Sequence, residues 1–188
     1  MRYFLALIGV VFFVVIAVIL IASSGKHNSQ KPINITSYNY TGTTMVYTEN
    51  GILNGEDIHR GIRISISNDS RVVDILSGYE PNVIKSETLP NTPASYGAFL
   101  QALEASGFAQ SRSTSEPYKY GVCPTGYLFN YQILAPNGSV SNLWGDECST
   151  SDGTFAGNSQ EVQTLFQNQI SNYLQFIGNT NLDATTSN

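Results

Sequence analysis

Residues 123–148 run CPTGYLFNYQILAPNGSVSNLWGDEC. Gly126 through Leu134 is aromatic and β-prone, Pro136-Asn137-Gly138-Ser139 turns the chain, and Val140 through Trp144 runs back, so the stretch reads as a β-hairpin. A hairpin brings its two ends side by side. Here both ends carry a cysteine: Cys123 enters through Cys123-Pro124-Thr125-Gly126, and Cys148 leaves the return strand. These are the only two cysteines of the chain, and a disulfide between them is expected. Closing a loop of this length is worth roughly 3 kcal/mol in the chain-entropy model, and the bond persists in an oxidising compartment. A metal site needs more ligands than two thiols and His59 supply, and a catalytic thiol wants a histidine beside it.

Upstream of the hairpin, Thr44-Met45-Val46-Tyr47-Thr48 opens a β-rich block, and Ile62 through Ser67 alternates apolar with polar like a half-buried strand. Asn68-Asp69-Ser70 makes a turn and Val72 through Tyr79 returns. Residues 51–61 read as a loop or ragged hairpin connection and residues 81–91 as a polar connection. Thr92 is placed to cap a helix with Pro93 at its first position; Tyr96, Phe99, Leu100 and Leu103 share one face, and Gly107 ends it. Downstream, Asn158 with Glu161 forms a capping box, and Val162, Leu165, Phe166, Gln169, Ile170, Tyr173 and Ile177 trace one helical stripe up to Gly178. The order is three strands, a helix, two strands, a helix. It defines an α+β class, a small antiparallel sheet packed with two helices.

The N-terminus carries a different signal. Between Tyr3 and Gly25 there is no charged side chain, and Phe4 through Ala22 is almost wholly Leu, Ile, Val, Phe and Ala. As a helix this run is long enough to cross about 30 Å of hydrocarbon. Residues 1–24 are therefore read as a transmembrane anchor, 25–42 as a stalk, 43–178 as one extracytoplasmic α+β domain and 179–188 as a disordered polar tail. The alternative is a secreted protein with a cleaved signal, since Ala22 and Ser24 fit the small residues before a cleavage site; the apolar run, however, exceeds the usual signal core. Arg2 and the terminal amine before the span are balanced by Lys26 and Lys31 after it, so flanking charge does not orient the chain. The cysteines and a Lys-poor surface rich in Asn, Thr and Tyr place the body outside.

Charged residues make up 12% of the 188 positions and the formal charge is -5, without any basic run, which argues against nucleic acid as a partner. No serine sits in a strand-Gly-x-Ser-x-Gly-helix setting, no glycine-rich loop with its lysine cradles phosphate, and Asp146 and Glu147 are adjacent rather than paired across a cleft. Glu56-Asp57-x-His59 has cation-binding residue types, but its ordinary reading is a solvated loop. No enzymatic activity, cofactor or metal is expected. Tyr38, Tyr40, Tyr47, Tyr79, Tyr118, Tyr120 and Trp144 are residue types enriched at recognition surfaces and also at core edges. The partners expected are the membrane, through the N-terminal helix, and an envelope or extracellular protein.

Several segments carry a resemblance: Cys123-Pro124-Thr125-Gly126, Trp144 to Cys148, Gly153-Thr154-Phe155-Ala156-Gly157-Asn158, and Leu165-Phe166-Gln167-Asn168-Gln169-Ile170. Over about the last third of the body the chain resembles uncharacterised membrane-anchored proteins of Saccharibacteria-type candidate-phyla bacteria. That resemblance implies an envelope location and names no activity. In its order of elements the chain is also similar to emfourin-type inhibitors of metallopeptidases, which implies peptidase inhibition; Gly51 and Gly55 stand apart here, and the paired glycine of that family is missing.

Overall fold

The computed structural model describes residues 33–40, 42–114, 119, 121–149 and 153–183. They form an α+β fold on one six-stranded sheet in the order β4-β3-β2-β1-β5-β6, each neighbour antiparallel to the next. The strands are β1 (Thr44–Asn50), β2 (Arg60–Ser67), β3 (Ser70–Ser77), β4 (Asn82–Pro90), β5 (Leu128–Ala135) and β6 (Gly138–Asp146). Helices α1 (Pro93–Ala105), α2 (Ser159–Gln167) and α3 (Tyr173–Ile177) follow β4 and β6. The hairpin read from residues 123–148 is the β5–β6 pair.

Alternation explains the core. Because successive side chains of a strand point to opposite faces, the register that sets Tyr47 between Ile64 and Tyr131 gathers Met45, Ile62, Ile66, Val73, Ile75, Phe129 and Ile133 on one face. Onto it α1 lays Tyr96, Phe99, Leu100 and Leu103, and α2 lays Val162 and Phe166. Phe166 is the junction, its ring 5.1 Å from Phe99 edge-on, 5.6 Å from Phe108 and 5.6 Å from Tyr47. Both helix starts form as their sequences dictate. Thr92 Oγ1 accepts from the Ser95 amide at 3.2 Å, and Asn158 Oδ1 accepts from the Glu161 amide at 3.1 Å.

Four boundaries differ from the sequence reading. Residues 81–91 are not a loop, since β4 occupies most of them as an edge strand. Edge strands need no apolar alternation, and seven of its nine residues are exposed. The helical stripe from Asn158 to Gly178 is broken after Gln167: the amides of Gln169 and Ile170 reach back three residues, to the Phe166 and Gln167 carbonyls. The break lets Asn172 donate to both Glu87 carboxylate oxygens at 3.1 Å and seats Phe176 below the Lys85 ammonium, 4.4 Å from its ring centroid. Phe176, absent from the predicted stripe, is buried, and Ile177 is only half-buried.

The stalk reading ends early, because residues 35–38 form a short 3-10 helix whose Ile35 is buried and whose Ile35 amide donates to Glu104 Oε2 of α1 at 2.6 Å. At the other end the chain is docked through Asp183, not frayed from residue 179. The Ile52 amide donates to the Leu182 carbonyl at 3.2 Å, Leu182 is buried, and Tyr127 Oη donates to Asp183 at 2.8 Å. Phe4–Ala22, the expected membrane span, lies outside the described residues, and so does the tail from 184. Among the described residues no helix is long and apolar enough to cross a membrane.

The two edges of the sheet are finished differently. β4 leaves its outer side to solvent, whereas residues 153–155 seal the end of β6, with the amides of Thr154 and Phe155 both donating to the Trp144 carbonyl. This close approach needs Gly153, which sits at φ +83° with the space for a Cβ already filled by the Trp144 carbonyl. Gly153→Ala is expected to destabilise the protein by at least about 1 kcal/mol, read as a lowered denaturation midpoint at unchanged slope.

Candidate functional site

The cystine corner is built from the hairpin inward. Cys123 and Cys148 are bonded with their Cα atoms 5.7 Å apart. Gly126 passes under the bridge where a Cβ would meet the Cys123 sulfur. Asp146 Oδ1 accepts from the amides of Cys148 at 2.9 Å and Ser149 at 3.1 Å, which fixes the exit of β6. The Asp146 carboxylate and both sulfurs lie within 4.8 Å of one another, but bonded sulfurs are not thiolates and offer a metal nothing. Glu147 turns outward and accepts from the Tyr127 amide at 3.3 Å.

Beside the bridge is a cavity of about 20 Å³ lined by His59, Tyr79, Lys119 and Cys123 among others, room for about one water molecule. His59 corrects the sequence reading. It is 3% exposed, its ring stacks on Tyr79 with centroids 4.0 Å apart, and its Nδ1 lies 3.3 Å from the Ile52 carbonyl. Burial pulls its pKa below the usual histidine value, so the ring is neutral near pH 7. Glu56 and Asp57 remain on the exposed side of this loop, and the three do not converge as ligands.

A wider cleft of about 320 Å³ opens between β6 and the start of α2. Arg112, Asp146, Ser149, Asn158, Ser159 and Gln160 line it, with Tyr131 Oη and Ser159 Oγ hydrogen-bonded at 2.6 Å. Burial raises the Tyr131 pKa far above the ordinary phenol range, so this hydroxyl stays protonated and acts as a hydrogen-bonding group. The lining combines both charges, hydroxyls and amides, which suits recognition of a polar ligand by hydrogen bonds.

Glu49 and Asp74 are buried carboxylates that the sequence reading did not single out, and Asp74 is paired with Arg63 at 2.7 Å. Glu49 follows Met45 and Tyr47 on the core face of β1, a placement that period-2 alternation does predict, and it is 5% exposed. Gln163 Nε2 of α2 donates to its Oε2 at 3.0 Å, and Tyr47 Oη lies at 3.5 Å. Burial outweighs these two bonds and raises its pKa above the ordinary glutamate range. The folded state therefore binds the proton more tightly than the unfolded chain, and stability falls as pH rises from the ordinary glutamate pKa through the raised one. Glu49→Gln keeps an acceptor for Gln163 and removes the charge. It is expected to raise the melting temperature at neutral pH by a few degrees, about 1 kcal/mol, with no gain in acid. Melting curves across the acid range check the sign.

Of the tyrosines, Tyr47 and Tyr96 are buried in the core, Tyr38 and Tyr40 stack at 6.0 Å, and Tyr79 closes the cavity; Tyr118 and Tyr120 lie outside the described residues. Trp144 is buried on the sheet face away from the helices, opposite Asn130. The result is a disulfide-pinned α+β domain on a six-stranded antiparallel sheet, with a polar cleft between β6 and α2. Compared with known proteins, the chain matches no family model, and no curated protein matches it.

Proposed function

We propose that the chain is a non-enzymatic binding module of the cell envelope, tethered to the membrane by residues 1–24 with its folded body on the extracytoplasmic side. The observation that carries this reading is the Cys123–Cys148 disulfide, because such a bond is stable where thiols are oxidised and short-lived in a reducing cytosol. The uncharged apolar run near the N-terminus supports the tether. The polar cleft between β6 and α2 supports binding, since it offers hydrogen-bond partners around a concavity without a histidine or thiol in its described lining.

Two measurements test the reading. Protease added to intact cells should remove the body while leaving cytosolic controls whole; a protected body ends the proposed topology. Affinity capture from solubilised envelopes with the full chain should enrich a partner over a version that ends at residue 42. Equal recovery in both arms counts against a binding role.

A further inference from the structure

We propose that Lys119 and Asn130 are the two halves of an intramolecular isopeptide bond, a covalent staple from the α1–β5 connection to the sheet face that the helices leave open. Lys119 Nζ donates to Asn130 Oδ1 at 2.8 Å, which holds the amine within contact reach of the amide carbon and polarises the carbonyl it would attack. Asn130 is 7% exposed, and in the sheet register it stands between Thr48 of β1 and Trp144 of β6, itself 9% exposed. Water therefore competes poorly at this carbon.

Lys119 is half-buried, and desolvation lowers its pKa from the usual lysine value, which enlarges the share of neutral, nucleophilic amine. The reaction balances without an oxidant or a second substrate. The neutral Nζ forms a bond to Cγ of Asn130, the Cγ–Nδ2 bond breaks, and the nitrogen leaves as ammonia that takes up a proton. Across the whole step an ammonium and a primary amide become a secondary amide and an ammonium ion.

The staple goes beyond the proposed binding role and has a structural logic of its own. It closes a loop between residues 119 and 130 that overlaps the disulfide loop from 123 to 148, so the connection entering β5 is held twice. The disulfide opens under reductant and the amide does not.

Intact-mass spectrometry of the full chain purified from membranes, with the disulfide reduced, reads the reaction directly. The mass is expected about 17 Da below that of the uncrosslinked sequence, one ammonia lost. Lys119→Arg, which keeps the charge and a donor but lacks the nucleophilic amine, and Asn130→Ala should each restore the full mass. Fragmentation should return a branched peptide joining the two positions. A succinimide at Asn137-Gly138 has the same deficit, but mild alkali opens it and leaves an isopeptide intact. A full-mass wild-type chain, a deficit erased by alkali, or a deficit that survives in Lys119→Arg overturns the proposal.

Discussion

Phe166→Ala is expected to cost about 4 kcal/mol of unfolding free energy. Phe166 is fully buried, and its ring touches α1 through Phe99, the segment after α1 through Phe108, and the central strand through Tyr47. Truncation leaves a void bounded by three elements that are each held elsewhere, so the cavity cannot collapse, and the cavity adds to the lost burial. With a total stability of about 5–15 kcal/mol for a domain, the variant should be marginal at physiological temperature. Urea denaturation of the full chain in detergent checks this, with Phe166→Leu as the conservative comparison expected to lose about 1 kcal/mol. Equal midpoints for Phe166→Ala and the wild type would mean that α2 does not lock the helices to the sheet.

Loss of the cystine ranks second. The bond spans 25 residues of sequence, and the double change Cys123→Ser with Cys148→Ser is expected to lower stability by about 3 kcal/mol, mainly by freeing the unfolded chain. The folded corner also loosens. The Leu53 amide donates to the Pro124 carbonyl at 2.8 Å, so the turn that carries Cys123 also supports the loop leading to His59. Reductant should bring the wild type down to the level of the double variant and leave that variant unchanged. A wild type indifferent to reductant, with both sulfurs open to alkylation in protein from native cells, would remove the disulfide and the argument for location with it.

Much of the fold was legible because its signals are local. The β5–β6 hairpin follows from Pro136-Asn137-Gly138 between two β-prone runs, and the start of α1 from Thr92-Pro93, because turn and cap geometry are satisfied within four residues. β4 was not legible: with Lys85, Ser86 and Glu87 at its centre and one face toward solvent, it lacks the alternation that marks a half-buried strand. The break between α2 and α3 was hidden by an apolar stripe that continues across it. It is decided by Asn172 meeting Glu87 from β4, far away in sequence.

The candidate site divides along the same line. The pairing of Cys123 with Cys148, the two flanking helix starts and the α+β class were legible from the residues alone, since each rests on residues adjacent along the chain or on a hairpin's own geometry. Tertiary structure alone decided that His59 stacks under Tyr79, that Glu49 is held by Gln163 of α2, that Lys119 reaches Asn130, and that Leu182 docks against residue 52. The physical reason is that an apolar side chain announces its burial by type and period. A buried polar one is tolerated only where a distant segment supplies its partner, and no local pattern records which segment that is.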